Sequence, residues 1–86
     1  MKNTNDFIDE KKIYNIIGKN IRYYRKLYCL NKKELTQESL AEIINVSTSL
    51  IGNLESKKIC QGISIYNLYK ISKTLDVPIE KFFIDR

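Results

Sequence analysis

Apolar residues recur along this chain at spacings of three and four, and the recurrence breaks at a few polar points. From Phe7 to Leu30 the sequence Ile13, Ile17, Ile21, Tyr24 and then Leu27 or Tyr28 traces one face of a long helix. Gly18 inside that run is unfavourable by about 1 kcal/mol against Ala, so it is expected to mark close approach of another backbone. A second helix is predicted over Gln37 to Ile44, capped by Thr36, with Glu38 in its first turn and Leu40, Ala41, Ile43 and Ile44 on its apolar face. Asn45 then interrupts the pattern. Asn tolerates left-handed backbone, so a tight helix-ending turn fits there. Ser47 is placed to cap a third helix from Thr48 to about Glu55, with Leu50 or Ile51 and Leu54 turned inward.

The segment Ser56 to Gly62 reads as a loop. Ser64 caps a fourth helix in which Ile65, Leu68, Ile71 and Leu75 share one face. Asp76-Val77-Pro78 forms a sharp turn, because the residue before proline avoids the helical region, and Pro78 can open a short fifth helix, Ile79 to Phe83. No strand pattern occurs, which makes the expected fold all α with five helices. Residues 1–12 are expected to form a partly disordered arm, and residues 13–86 a single domain.

Charge changes this picture by its distribution. The net charge is +5 over 86 residues, yet residues 13–33 alone carry +6, from Lys19, Arg22, Arg25, Lys26, Lys32 and Lys33. A basic segment attracts phosphate or anionic lipid. No apolar run approaches the 18 residues of a membrane span and no leader pattern occurs, so no membrane partner and a cytoplasmic location are expected. The chain has no histidine and two cysteines, Cys29 and Cys60, which removes the usual zinc ligand sets and the usual general base together. With no glycine-rich phosphate loop or paired acids either, neither an enzyme nor a metal or other cofactor is expected. The thiols are expected to act as small, partly buried hydrophobes.

The span IGKNIRYYRK…LTQESLAEIINVSTSLIGNLESKK…ISIYNLYKISKTLDVPIEKFF resembles the Cro/C1 repressor-like (XRE) helix-turn-helix family over Ile17 to about Phe83. The family's marker positions occur in order: Gln37 opening the second helix, small Ala41 facing the turn, Asn45 where glycine is commoner, then Val46, Ile51, Leu54 and Glu55. The resemblance implies a lambda repressor-like DNA-binding fold whose third helix enters the major groove. It explains why Thr48, Ser49, Gly52 and Asn53 form an uncharged face of short side chains in so basic a chain. Short hydrogen-bonding groups suit base edges, whereas phosphate-neutralising cations belong on the flanks.

By the same resemblance Gln37, Ser47, Ser56, Lys57 and Lys58 contact phosphates, and Thr48, Ser49 and Asn53 read bases, Asn53 by a bidentate contact to adenine. Arg25 and Glu55 match the family's structural ion pair. The implied function is a sequence-specific transcriptional regulator, a repressor acting as a dimer on double-stranded DNA. An antitoxin, a restriction-modification controller and a protein-interaction module remain open, the last with a protein partner. Phe82, Phe83 and Ile84 are candidate dimer-interface residues. One departure is clear: the spacing from Arg25 to Gln37 exceeds the family's by about five residues, so LYCLNKKE contains an insertion that either lengthens the first helix or forms a loop presenting Lys32 and Lys33.

Overall fold

Helix capping sets the boundaries of the elements. In the computed structural model, which describes residues 7–31 and 34–86, four α-helices follow one another: α1 (Glu10–Asn31), α2 (Gln37–Ile44), α3 (Thr48–Glu55) and α4 (Ile65–Leu75). The expected fifth helix is a single 3₁₀ element, Ile79–Phe83, and no strand occurs among the described residues. Thr36, Ser47 and Ser64 each accept the N–H three residues ahead, at 3.0, 3.1 and 3.1 Å. Each cap satisfies one of the donors that a helix start leaves without an intrahelical partner. Asp9 receives the Lys11 N–H at 2.8 Å, so α1 begins within the stretch expected as an arm. Residues 1–6 of that arm lie outside the described residues.

The helices end as abruptly as they begin. Asn45 adopts φ 60°, ψ 53°, and the Val46 N–H reaches back to the Ala41 carbonyl at 2.9 Å. Asp76 repeats the device at φ 57°, ψ 47°, with the Val77 N–H on the Ser72 carbonyl at 3.0 Å. Both are left-handed C-terminal caps that turn the chain within two residues. The first fixes the angle between α2 and α3. Lys70 of α4 donates to the Ile44 carbonyl, closing the same helix end from outside.

Between the helices lies a core of Ile17, Ile21, Tyr24, Leu35, Leu40, Ala41, Ile44, Ile51, Leu54, Leu68, Ile71, Leu75 and Phe82. The inward face read for α1 is correct through Tyr24, and Tyr28 rather than Leu27 continues it. Two assignments are corrected. Ile43 is 59% exposed, because on a 3.6-residue helix it lies about 100° from the middle of the arc set by Leu40, Ala41 and Ile44. Ile65 is 82% exposed; it opens α4, and a side chain there leans back past the end of the helix, beyond its packing neighbours.

The insertion lengthens α1 to Asn31; Lys32 and Lys33 lie outside the described residues. The chain then returns so that Leu35 is buried, with its N–H on Cys29 Sγ at 3.1 Å and its carbonyl accepting from Arg25 Nη1 at 3.0 Å. Cys29 thus pins the connector to the lengthened helix, a role beyond the filler expected of it. Cys60 is exposed rather than partly buried, and both thiols are free.

At the middle of α1, the fully buried Asn20 amide donates to the Phe82 and Ile84 carbonyls at 2.9 and 2.8 Å and accepts from Arg86 Nε at 2.9 Å. That clamp holds the segment after the 3₁₀ helix on α1. Phe82, fully buried against Tyr24, belongs to the core, and its assignment as a dimer contact is corrected: a side chain with no exposed surface has none to offer a partner.

Gly18 sits where α1 crosses the end of α3. A Cβ built there would stand 1.7 Å from the Leu54 carbonyl oxygen and 2.8 Å from its carbon. Backbone cannot yield as a flexible side chain would. Gly18→Ala is therefore expected to destabilise the domain by about 1–3 kcal/mol, reversing the usual helical preference for alanine. Urea unfolding of the two proteins measures it; an alanine variant as stable as the parent would mean that the helices can separate at no cost.

Candidate nucleic-acid interface

The face expected to meet DNA is assembled by α2, the Asn45 turn, α3 and the loop that follows. On α3, Ile51, Leu54 and Glu55 are buried. Ser49 and Asn53, four residues apart, fall on the opposite side of the helix. Thr48 and Ser49 are exposed and Asn53 is half-buried. The Asn53 amide stands 3.5 Å from Gln61 Oε1, a long contact that leaves it available to a better partner. Gln61 comes from the loop, where no periodicity could have pointed to it. The Ser47 hydroxyl is occupied as the cap of α3, so its remaining capacity as a donor is what could face a phosphate.

Beyond α3, the Ser56 hydroxyl receives the Lys58 N–H at 3.2 Å, which shapes the turn that carries Lys57 and Lys58. Both lysines are exposed. On the near side, a Cβ at Gly52 would meet Gln37 Oε1 at 3.5 Å, an ordinary contact, so the α2 glutamine lies alongside α3.

One carboxylate holds these parts in register. The Glu55 side chain is 1% exposed and accepts from Arg25 Nε and Nη2, both at 2.7 Å, in a two-pronged pair. Gln37 Nε2 donates to the same carboxylate at 3.0 Å, and Arg22 Nη1 approaches it at 3.8 Å from a half-exposed position. Donating its hydrogen bonds to the Glu55 carboxylate holds the Arg25 guanidinium above the usual arginine range, with burial opposing. A raised cation pKa stabilises the fold below the ordinary value and is lost only on passing the higher one, so the arginine's contribution is constant across neutral pH. Gln37 uses one amide hydrogen on Glu55, and the other remains for a phosphate.

The structure thus brings Arg25, Gln37 and Glu55 together and sets Ser49 and Asn53 on one side of α3, with Thr48 exposed at its first position. Arg22 was missed as a partner of Glu55; its place one turn before Arg25 was the available signal. Phe83 and Ile84 are about half exposed and lie apart from Phe82. Among the described residues no group of three or more His, Cys, Asp or Glu side chains could hold a metal ion, and no helix is long and apolar enough to cross a membrane.

Comparison with known proteins agrees with this geometry: residues 21–82 match the family model described as helix-turn-helix. No curated protein matches the chain.

Removing Arg25 leaves the buried Glu55 carboxylate with only the Gln37 amide and the half-exposed Arg22 beside it. Arg25→Ala is expected to cost about 3–5 kcal/mol, whereas replacing Arg25 and Glu55 together with Met and Leu is expected to cost much less. Thermal unfolding of the parent, single and double variants checks this; equal losses in both variants would mean that the pair contributes as packed volume and not as charge.

Proposed function

The chain belongs to the helix-turn-helix family, in its Cro/C1 (XRE) type, and on that footing we propose that it is a sequence-specific repressor that occupies promoter DNA as a homodimer. The family is a DNA-binding regulatory one and not enzymatic. The observation that carries the finer reading is the composition of the accessible side of α3. Thr48, Ser49 and Asn53 offer short, uncharged donors and acceptors there, with Gln37 on one flank and Lys57 and Lys58 on the other. Such a face reads base edges while its rim contacts phosphates. Asn53 is the bidentate reader, and Thr48 offers a methyl group to thymine.

Dimerisation through the exposed Phe83 and Ile84 pairs two such faces on a twofold operator with half-sites about 34 Å apart. Repression then follows from occupancy, with the protein's own concentration or a protein partner as the control.

Selection of bound sequences from a random DNA pool tests the reading directly. An enriched inverted repeat is expected, and the absence of any enriched sequence would overturn it. On the selected operator, Asn53→Ala is expected to lose about 1–3 kcal/mol of discrimination at one base position while the fold is retained. A variant with unchanged preference at every position would remove Asn53 as a reader.

Lys58→Ala is expected to weaken binding to all sequences alike and to reduce the slope of log affinity against log salt by about one unit. A titration at several salt concentrations gives that slope. The parent slope in the variant would place Lys58 away from the phosphates.

A further inference from the structure

The long first helix carries a second periodic stripe beside the one it buries. Lys12, Ile16, Lys19, Tyr23, Lys26 and Leu30 follow one another at alternating steps of four and three, the spacing of a coiled-coil seam. The lysines occupy one set of seam positions and the apolar residues the other. Ile16 is nearly buried at the floor, but Tyr23 is 46% exposed, and Leu30, near the C-terminal end of α1, is 82% exposed. Two hollows of about 390 and 410 Å³ lie along this stripe and share Lys19, Arg22 and Lys57 as walls. Together they make a groove with an apolar floor and a basic rim.

The acidic groups facing the groove are already engaged. Glu55 is saturated by Arg25 and Gln37, and Asp85 pairs with Lys19 at 3.3 Å. The groove's unbalanced charge is positive. A second copy of this chain is a poor occupant, because its own stripe brings three more lysines and no carboxylate to meet these. Duplex DNA is a poor occupant as well, since a phosphate backbone gains nothing from an apolar floor. Charge and spacing together select a helix with the opposite pattern.

We infer that the outer face of α1 is a docking seam for an acidic amphipathic helix of a partner protein, whose carboxylates meet Lys12 and Lys26 and whose apolar residues cover Tyr23 and Leu30. From residue 12 to residue 30 the seam is about 27 Å long at 1.5 Å per residue, enough for five turns of partner helix. The lysines supply specificity by repelling basic and self partners, and the apolar positions supply burial. A carboxylate-bearing helix seated there lies beside Lys57, at the edge of the proposed DNA face. Its binding lowers DNA affinity, a consequence that rests on the repressor reading; docking itself does not.

The test uses the full chain and two labelled 21-residue helical peptides of the same heptad design, one with Glu and the other with Lys opposite the seam lysines. Fluorescence anisotropy is expected to show the Glu peptide binding at least tenfold more tightly than the Lys peptide. Leu30→Glu is expected to weaken it at least tenfold, and the double variant Lys12→Glu/Lys26→Glu to reverse the preference. Circular dichroism of each variant establishes that α1 is intact. Equal binding of both peptides, or a preference that survives the charge reversal, would overturn the proposal. So would sedimentation showing a parent dimer that Leu30→Glu dissolves, since the seam would then join two copies. If neither peptide binds while Lys12→Glu/Lys26→Glu lowers operator affinity, the face belongs to the DNA backbone. Operator selection is independent of the peptides, so loss of the docking proposal and loss of the repressor reading are distinguishable.

Discussion

The Glu55 carboxylate is the point on which the proposed DNA face depends. It lies at the end of α3, nearly sealed from water, and takes two hydrogen bonds from Arg25 of α1 and one from Gln37 at the start of α2. Three helices are thereby tied to one side chain. The pair adds little net stability, because the desolvation of two charges offsets much of their attraction. Its effect is geometric. A planar guanidinium meeting a carboxylate by two parallel bonds fixes both planar groups in direction as well as distance. The end of α3 cannot rotate about its axis without breaking them, and the amide of Gln37 is aimed by the same group.

Close packing reinforces that restraint about two turns earlier on the same side of α1. The absent side chain at Gly18 lets the Leu54 carbonyl come to within contact of the α1 backbone, one residue before Glu55. The buried pair and the glycine contact sit one to two turns apart on α1 and grip adjacent residues of α3. Further along, the Asn20 amide clamps the segment after the 3₁₀ helix to the same rod. A single 22-residue helix therefore positions α3, the connector and the last segment. Among the described residues every buried side-chain nitrogen and oxygen has a hydrogen-bond partner, as such a polar framework requires if it is not to cost more than it fixes.

What could be read from the sequence was what has a local cause. Thr36, Ser47 and Ser64 are caps because a short oxygen side chain before an apolar run can reach the third N–H, and Asn45 turns left-handed because few other residues tolerate it. Gly18 was legible for the same reason: a glycine inside a good helix needs an explanation, and close approach is the usual one. The misreadings fall where periodicity meets an end. Ile65 has the right spacing for the core but opens its helix, and Ile43 lies next to the buried arc without belonging to it. Phe82 and Phe83 are neighbours in a five-residue element, and spacing cannot tell which is turned inward. The Cys29 contact to Leu35 was invisible because it depends on how the chain returns after an insertion.

The proposed interface follows one division of labour that runs through the whole chain. Charged side chains are long and hydrated, and they hold position poorly; they suit a partner recognised by charge density. Thr48, Ser49 and Asn53 are short and lose little freedom on binding, so they suit a partner recognised by the placement of individual donors and acceptors. The two kinds are kept apart here. Within α3 the one ionised group, Glu55, is turned inward and neutralised, which leaves its outer side free of any field that would favour one base edge by charge alone. The cations nearest to it stand on α1 and on the loop after α3. The basic character of α1 is consequently available for a purpose of its own, and its alternation of lysine with apolar residues gives that surface a selectivity that an evenly basic helix would lack.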